Sequence, residues 1–292
     1  MNLIDIIIPT RNRKNVLLKV LPSYLNQKFL NKVIIVDDAG EDNLKEEIEK
    51  LEEIEKLKDS KIIYIRADKR VYLPAARNIG IKNSSAPYVF IGEDDVILDD
   101  NHLEVLLNKM KEFNADLIAG RRIYLFENQT FQEAREFANK DKGPIFTRFP
   151  FEGYFERFLN KAIEVKFLHS NSLIKIGVFD KVLYDEWYKG NSFREELDFY
   201  LRCLDAGFKM VLIPDTICYH LKSRENKKGG ARMQRFKYEY YVWKNTLYCF
   251  LKNKKIFKKH FNIKFPFLYA WFMLFARYPY AIFRRILWKI KK

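Results

Sequence analysis

The chain of 292 residues is 48% hydrophobic and 31% charged, which is enough apolar sequence for one large or two modest domains. Its three cysteines have neither the number nor the spacing of a disulfide framework or a zinc site, which excludes the small disulfide-stapled class. The net charge of +15 is uneven, because residues 221–292 hold 20 of the 53 Lys and Arg residues but 2 of the 38 Asp and Glu residues. That segment carries +18 and residues 1–220 carry −3, which predicts an anionic partner, a membrane or a nucleic acid, for the C-terminal part.

Apolar runs alternate with helix-like stretches through about residue 120. The run LIDIIIP is too short for a signal peptide and is interrupted by Asp5, so it predicts a buried strand. Strands are predicted at 4–9, 32–38, 61–67, 88–95 and 115–126, with helices near 16–25, 41–57, 73–85 and 101–113. Near-continuous Val and Ile runs that alternate with helices predict an α/β fold with a mainly parallel sheet.

The pattern changes after residue 126. Residues 127–165 are irregular and rich in aromatic and charged side chains, which predicts a loop or lid. Two further strands are predicted at 167–180 and 208–220. Between them, the stretch 192–207 predicts a helix that ends at Gly207.

Polar clusters follow three of the predicted strands: PTRNR the first, VDDAGED the second and GEDD the fourth. Each cluster alone is also typical of an Asx turn or a helix cap. Together they lie at the carboxyl ends of strands in one sheet, the edge at which open α/β sheets bind ligands. Clustered carboxylates repel one another without a cation, so the pattern favours a hard divalent ion such as Mg²⁺ or Mn²⁺, which commonly binds together with phosphate.

Four blocks in a fixed order carry a family resemblance: IIIPTRNR, VIIVDDAGED, LPAARNIGIKNSSAPYVFIGEDD and REELDFYLRCLDAGFKMVLIPDTICYH. They resemble the family 2 glycosyltransferases of the GT-A type, over roughly residues 3–220. The resemblance implies a GT-A catalytic domain at 1–220, with a nucleotide-sugar half at about 1–120 and an acceptor half at about 121–220. It also implies an inverting, metal-dependent enzyme that uses a nucleoside-diphosphate sugar.

The resemblance assigns donor-binding and metal-binding roles residue by residue. Donor contacts fall on Pro9, Thr10, Arg11, Asp37, Asp38, Arg77 and Asp94. Ligands for Mn²⁺ or Mg²⁺ fall on Asp95, Glu93 and His220, where Glu93 stands in place of the family's usual aspartate. Two alternatives come from residue chemistry: Arg77 as an ion-pair partner of the aspartates at 37 and 38, and His220 as a structural histidine.

Inverting transfer needs a base that removes the proton of the acceptor hydroxyl. The resemblance places the family's acidic pair on Glu195 and Glu196 at the start of a helix, with Glu196 as the base and Asp198 as the second candidate. The alternative is that these acids only stabilise the helix N-terminus. Arg202 follows Asp198 by four residues, a spacing that also favours a structural ion pair on the helix.

The C-terminal segment, residues 221–292, combines basic and aromatic residues. The stretch 221–245 is predicted to be a loop that closes over the diphosphate, or else a solvated basic loop. The apolar run FPFLYAWFMLFA is shorter than the roughly 20 residues of a spanning helix, so contact with the membrane interface is predicted instead. Packing of these helices on the catalytic domain or on a second subunit is the alternative.

These features predict a glycosyltransferase at the cytoplasmic face of the cell membrane, bound to an anionic membrane surface, with a lipid-linked or glycan acceptor. Two other classes are alternatives. A nucleotidyltransferase would also use carboxylates and Mg²⁺, yet PTRNRKN lacks the glycines of a phosphate loop. A nucleic-acid-binding protein would fit the basic tail, but the acidic clusters would repel the phosphates, so no nucleic-acid partner is expected.

Overall fold

The computed structural model describes residues 3–54, 61–222, 229 and 232–290. The strands are β1 (Ile4–Thr10), β2 (Leu30–Asp37), β3 (Ile62–Arg66), β4 (Tyr88–Ile91), β5 (Val96–Leu98), β6 (Leu117–Phe126), β7 (Phe146–Thr147), β8 (Glu152–Gly153), β9 (Ile163–Glu164), β10 (Leu173–Lys175) and β11 (Met210–Lys222). The helices are α1 (Lys14–Leu25), α2 (Leu44–Ile54), α3 (Leu73–Lys82), α4 (His102–Glu112), α5 (Phe131–Asn139), α6 (Glu195–Asp205), α7 (Arg235–Lys252), α8 (Lys254–Phe261) and α9 (Pro266–Ile290).

One large mixed sheet forms the centre of the described structure. Its strand order is β3-β2-β1-β4-β10-β6-β11-β5, and β9 pairs with β11. The pairs β1–β2, β2–β3, β1–β4 and β6–β11 are parallel, while the short strands β5, β9 and β10 run antiparallel to their neighbours. The predicted α/β fold with a mainly parallel sheet is therefore confirmed.

Helices cover both faces of the sheet, as strands with continuous apolar runs require. Every residue of β1 is buried, and the alternation of side chains sends Ile7 to one face and Ile6 to the other. Helices α1 and α4 pack on the face of Ile6, whereas α3 and α6 pack on the face of Ile7. This two-sided packing fixes the sheet, so the chain segments that leave its carboxyl edge are held in place.

The carboxyl ends of β1, β2 and β4 meet at one edge of the sheet. Thr10 pairs with Asp37 across the parallel ladder, and Ile91 pairs with Ile7. The acidic triplet at 93–95 follows β4 immediately. The parallel register thus brings together the three polar clusters that the sequence placed after these strands.

Local structure departs from the sequence expectations in three places. The stretch 127–165 is not all loop, because α5 forms there with a capping box between Thr130 and Glu133. The stretch 167–180 is a strand only at Leu173–Lys175, after which a 3₁₀ turn at Ile176–Val178 interrupts the extended chain. The short strand β5, directly after the acidic triplet, was not expected.

The C-terminal helices α7 and α8 pack on the part of the chain that precedes residue 220, which was the alternative considered for the tail. The rings of Phe250, Phe257 and Phe261 lie 5.6, 5.3 and 5.0 Å from the buried ring of Phe151. The predicted loop 221–245 is wrong over residues 235–245, because helix α7 begins at Arg235. Its residues 223–228, 230 and 231 lie outside the described residues. None of the helices in the described part of the chain is long and apolar enough to cross a membrane.

Candidate functional site

Two adjoining cavities open at the carboxyl edge of the sheet, with volumes of about 200 Å³ and about 430 Å³. Leu73, Arg122, Ser192 and His220 line both of them. The first cavity is lined by most of the predicted donor and metal residues, namely Pro9, Thr10, Arg11, Asp38, Glu93, Asp94, Asp95 and His220. The second cavity is lined by the predicted base, Glu196.

Two carboxylates of the acidic triplet are neutralised by an arginine of the same chain. Arg13, the N-cap residue of α1, donates from one nitrogen to Asp94 and from the other to Asp95 at 2.9 Å. All three side chains are buried, and the Thr10 hydroxyl donates to Asp94 at 2.8 Å. Sequence reasoning missed this role of Arg13, although the residue ends the PTRNR motif that it had singled out.

The third carboxylate of the triplet, Glu93, is held by a second arginine. Arg122 of β6 donates to Glu93 at 2.7 Å, and the Ser170 hydroxyl donates to Glu93 at 2.9 Å. Arg122 also donates to Nδ1 of His220 at 3.1 Å. Each acid of the triplet therefore has a guanidinium partner, and the sequence analysis did not anticipate either arginine.

The burial of the triplet shifts the pKa values of its members in opposite directions. Burial raises the pKa of Asp94 to about 7, against the attraction of Arg13 and with added repulsion from Asp95. The pKa of Asp95 lies below its usual range: burial opposes this shift, but the hydrogen bond from His220 and the charge and hydrogen bond of Arg13 outweigh it. The two neighbouring carboxylates are therefore stabilised to different extents.

The hydrogen bonds of His220 fix its tautomer. Burial, followed by the nearby charge of Arg122, lowers the pKa of His220, so the ring is neutral near pH 7. Because a guanidinium only donates, Nδ1 is the acceptor, and the ring proton lies on Nε2, 3.2 Å from the Asp95 carboxylate that accepts it. A nitrogen that carries a proton has no lone pair for a metal ion.

These contacts test whether the residues fit the predicted Mn²⁺ or Mg²⁺ ion. Asp95 is bonded to Arg13 and His220, Glu93 is bonded to Arg122, and Nε2 of His220 is protonated in this arrangement. Across residues 3–54, 61–222, 229 and 232–290, no group of three or more His, Cys, Asp or Glu side chains is arranged to hold a metal. The side chains as they stand do not fit an ion, and the metal assignment stays a prediction.

The two neighbouring aspartates at the end of β2 have different surroundings. Asp37 accepts hydrogen bonds from the Gly40 amide and the Tyr64 hydroxyl, both at 2.7 Å, and so holds the turn after the strand. Asp38 lines the first cavity and accepts from the amides of Val71 and Tyr72. Burial raises the pKa of Asp38, although these two amides oppose the rise.

Arg77 lies behind the cavities and does not line either one. It is fully buried on α3, donates to Glu195 and, at 3.2 Å, to Glu196, and lies 3.9 Å from Glu93. It contacts neither Asp37 nor Asp38, so the alternative ion pair considered for it is wrong. The predicted donor contact of Arg77 is not part of this arrangement, in which Arg77 instead fixes the acidic pair at the start of α6.

The two catalytic candidates lie in different environments. The Glu196 side chain is 30% exposed and faces the second cavity, with Arg77 as its cation. Asp198 has no exposed surface and is bonded to Arg202 at 2.8 Å, Lys252 at 3.0 Å and Asn253 at 2.7 Å. This burial and these contacts do not favour Asp198 as the base, whose assignment stays a prediction, and the structural ion pair with Arg202 is confirmed.

The C-terminal segment reaches the first cavity. Arg232 lines that cavity. Burial, followed by the positive charge of Arg13, lowers the pKa of Arg232. Gly229 has a φ of 74° and lies so close to the loop after β1 that a Cβ there would overlap the carbonyl oxygen of Asn12. The described part of this segment thus crosses the loop that carries Arg13.

Comparisons with known proteins agree with this architecture. A relative from Streptococcus pneumoniae, the glycosyltransferase GlyA, is 27% identical over 228 residues, or 75% of this chain and 30% of the relative. The poly(ribitol-phosphate) β-N-acetylglucosaminyltransferase TarP of Staphylococcus aureus is 36% identical over 126 residues, or 41% of this chain and 37% of the relative. The chain therefore spans about a third of the length of these two relatives.

A solved structure shows the same fold, and a family model gives the assignment. The structure of residues 1–349 of TarS from S. aureus in complex with UDP-GlcNAc has a TM-score of 0.57 at 13% identity, covering 91% of this chain and 73% of that one. Residues 5–183 match the model of glycosyl transferase family 2, which is more than half of the chain. The chain therefore belongs to glycosyl transferase family 2.

Proposed function

We propose that the chain transfers a sugar from a nucleoside-diphosphate donor in the first cavity to a hydroxyl group of an acceptor in the second, with inversion at the anomeric carbon. The observation that carries this proposal is the position of Glu196, a partly exposed carboxylate in a cavity that adjoins the first one. The UDP-GlcNAc complex of TarS and the sugar-transfer names of GlyA and TarP support the donor class.

The first cavity suits a nucleoside diphosphate. Besides Arg13 and Arg122, the guanidinium groups of Arg11, Arg70 and Arg232 line it, and a guanidinium binds phosphate oxygens with two parallel hydrogen bonds. Asp38 would accept hydrogen bonds from the nucleoside. Pro9, Thr10 and Asp94 are proposed as donor contacts on the same ground, that they line this cavity. Asp37 and Arg77 do not line it, so the structure gives them no such support.

In the proposed transfer step, Glu196 is the group that accepts the proton. The carboxylate of Glu196 takes the proton of the acceptor hydroxyl, and the freed oxygen forms a bond to the anomeric carbon from the side opposite the diphosphate. The bond between that carbon and the phosphate oxygen breaks, and its electron pair leaves with the diphosphate. Arg77, which pairs with Glu196, holds the base without occupying the cavity.

The proposal assigns no step to a metal ion. The ion predicted on Asp95, Glu93 and His220 could bind only after Arg13 and Arg122 break their hydrogen bonds to these side chains. In the arrangement described, the guanidinium groups that line the first cavity supply positive charge next to the leaving diphosphate.

We place the enzyme at the cytoplasmic face of a membrane, with a lipid-linked or glycan acceptor. Helix α9 and the residue before it, Phe265, expose an apolar surface that we call the α9 surface. It is made of Phe265, Phe267, Leu268, Phe272 and Phe275. The neighbouring part of the chain exposes lysines at 254, 255, 258 and 264. Aromatic side chains combined with lysines favour the interface of an anionic membrane, where each basic residue contributes about 1 kcal/mol.

The proposal is tested with a panel of nucleotide sugars, each measured for its effect on thermal unfolding and for hydrolysis of the donor. At least one member should raise the unfolding temperature. With that donor, Glu196→Gln should keep the binding response and lose transfer, because the amide accepts no proton at neutral pH.

Glu127 is an exposed acid that directly follows β6, and Glu127→Gln is the matched control, which should transfer normally. The proposed function fails if no nucleotide sugar changes the unfolding temperature. The assignment of the base fails if Glu196→Gln transfers at the wild-type rate.

A further inference from the structure

The loop that leads into α6 forms part of the wall of both cavities. It comprises residues 189–194 and is called the wall loop below. Gly190 lines the first cavity, Asn191 lines the second, and Ser192 lines both. Helix α6 begins directly after the loop and carries the proposed base, Glu196, in its first turn. The conformation of the wall loop therefore sets the position of that carboxylate.

The backbone of the wall loop is strained. Gly190, Ser192 and Arg194 have φ angles of 72°, 51° and 73°, in the left-handed region that residues with a Cβ disfavour. Two of the three are not glycine, so the loop keeps this shape only because its surroundings hold it. One support is the side chain of Arg194, which donates to the carbonyl oxygen of Phe151 at 2.7 Å.

A buried asparagine of α7 gives the wall loop a second support. Asn245 has no exposed surface, and its side-chain nitrogen donates to the carbonyl oxygen of Lys189 at 3.2 Å and to Oδ1 of Asn191 at 3.3 Å. Oδ1 of Asn191 also accepts from the backbone amide of Phe193 at 3.1 Å. Because a carbonyl oxygen only accepts and a backbone amide only donates, these contacts fix the orientation of both side-chain amides. Asn245 therefore presents its donor end to the loop.

Two further contacts hold the wall loop against the same helix. Asn191 donates from Nδ2 to the carbonyl oxygen of Tyr238 at 3.3 Å. Gly190 lies so close to the ring of Tyr241 that a Cβ there would overlap the ring. The contacts thus run from Tyr238 to Asn245, about two turns of α7.

We infer that Asn245 is a positioning residue for sugar transfer. It holds the wall loop, and the wall loop holds the start of α6, with Glu196 at the second cavity. The inference rests on the proposed function, in which Glu196 is the base. It gives a role in the reaction to α7, which lies outside residues 5–183, the stretch that matches the family model.

The test compares Asn245→Leu with Thr246→Val, its neighbour on α7. Leucine is of similar size but donates no hydrogen bond, so the wall loop loses both of its bonds to position 245. Thr246 is also buried, and its hydroxyl has no hydrogen-bond partner in the described part of the chain. Valine at that position should therefore leave the wall loop unchanged.

The first measurement is hydrolysis of the donor found above, with water in place of the acceptor. A displacement of about 1 Å in a reacting group is enough to lower a rate by about 100-fold. Asn245→Leu should lower the hydrolysis rate at saturating donor by at least about tenfold. The dissociation constant of the donor should stay within about threefold, because most residues of the first cavity belong to other elements.

The second measurement, hydrogen exchange followed by mass spectrometry, needs no turnover. The amide of Ser192 donates to Lys189, and that of Glu195 donates to Ser192. In Asn245→Leu these amides should exchange at least about tenfold faster, while those of β1 keep the wild-type rate. Gly190→Ala, which pushes the loop away from Tyr241, should have the same two effects.

The inference is overturned if Asn245→Leu hydrolyses the donor at the wild-type rate, or if exchange in the wall loop does not change. It is also overturned if exchange rises equally in the wall loop and in β1, which would show a general loss of stability, or if Thr246→Val has the same effects. Failure of the proposed function is a different result: no nucleotide sugar binds the wild type, or Glu196→Gln hydrolyses the donor as fast as the wild type does.

Discussion

Arg13 and the two aspartates it bridges show how a run of acids is tolerated at the end of a buried strand. Burying a carboxylate without a partner is costly, and here Arg13 satisfies Asp94 and Asp95 with separate nitrogens. One of these two carboxylates, that of Asp95, is a predicted ligand of the divalent ion. Arg13 therefore couples the stability of the fold to the availability of the site for a metal.

Replacing Arg13 by glutamine separates these two roles. The substitution leaves two buried carboxylates without their cation and should lower the free energy of unfolding by about 3–5 kcal/mol. Urea unfolding with and without Mn²⁺ measures this, and Mn²⁺ should restore part of the loss in the variant because the carboxylates are then free to bind it. Lys28→Gln, which removes an exposed ion pair with Glu104, should cost less than about 1 kcal/mol and show no response to Mn²⁺. A variant that Mn²⁺ does not stabilise would show that Arg13 is not what keeps an ion out.

Arg77 gives the second prediction for a single residue. Its guanidinium uses one nitrogen for Glu195 and another for Glu196, and a lysine offers only one charged point. Arg77→Lys should therefore let the Glu196 carboxylate move and lower kcat by about 100-fold, with little change in the KM for the donor. Steady-state kinetics with the donor varied at saturating acceptor separates the two constants. If kcat fell and the KM for the donor rose by similar factors, the site would be damaged in general, which would contradict the positioning role.

At the scale of elements, the sequence predicts what depends on neighbours along the chain. The strands β1, β2 and β3 and the helices α3 and α4 follow from local runs and periodicity, and the structure has them within a few residues. Helix α5 was missed although its capping box, Thr130 to Glu133, is readable in the sequence. Strand β10 is short because its pairing is set by β4 and β6, which no local pattern encodes.

The candidate site shows the same difference between local and long-range features. The sequence predicted its acids because they follow strands, but the cations that pair with them lie far away along the chain. Arg13 and Asp94 are 81 residues apart, and Arg77 and Glu195 are 118 residues apart. Only the assembled sheet and the packing of α3 against α6 bring these groups into contact, so the ion pairs were beyond what local patterns predict.

The contact between α4 and β11 gives a prediction on pH. His102, the first residue of α4, pairs through Nδ1 with the Thr216 hydroxyl at 2.8 Å, and burial, then the charge of His169, lowers its pKa to about 3. The unfolded chain binds a proton at this side chain below about pH 6.5 and the folded chain does not, so stability is lost as the pH falls from 6.5 towards 3. The slope should be about 1.4 kcal/mol per pH unit. Urea unfolding of wild type and His102→Gln between pH 4 and 7 should show a shallower slope in the variant, and parallel curves would contradict the assignment.

In the whole molecule, the basic tail packs beside the second cavity. Phe151, which lines that cavity, lies in one core with Phe250 and Phe257 of α7 and α8, so these helices support the cavity wall. The charge asymmetry predicted a separate partner for the whole tail, but it cannot tell which aromatic residues face inward. The boundary predicted at residue 220 stays a prediction, and the core of the described residues runs across it.

The packing also decides how the membrane proposal is best tested. A truncation before α9 would remove Ala270, Met273 and Leu274, which are buried against the rest of the chain, so loss of binding could reflect loss of the fold. Substitutions on the exposed α9 surface avoid this problem. Phe137 on α5 and Phe126 on β6 are comparably exposed and serve as controls outside the α9 surface.

Serine at the three positions 268, 272 and 275 of the α9 surface should weaken binding to vesicles of phosphatidylglycerol and phosphatidylcholine. Each lost apolar contact is worth about 1.5–3 kcal/mol when fully buried, so the partition coefficient should fall by at least about 100-fold even with partial insertion. Vesicle sedimentation measures the bound fraction, and circular dichroism checks that α9 is retained. The control variant with both Phe126→Ser and Phe137→Ser should bind as the wild type does. Raised salt should weaken vesicle binding of this control and of the wild type, because the lysines are attracted to the anionic lipid. Equal partitioning of the triple variant and the wild type would show that the α9 surface meets something other than a membrane.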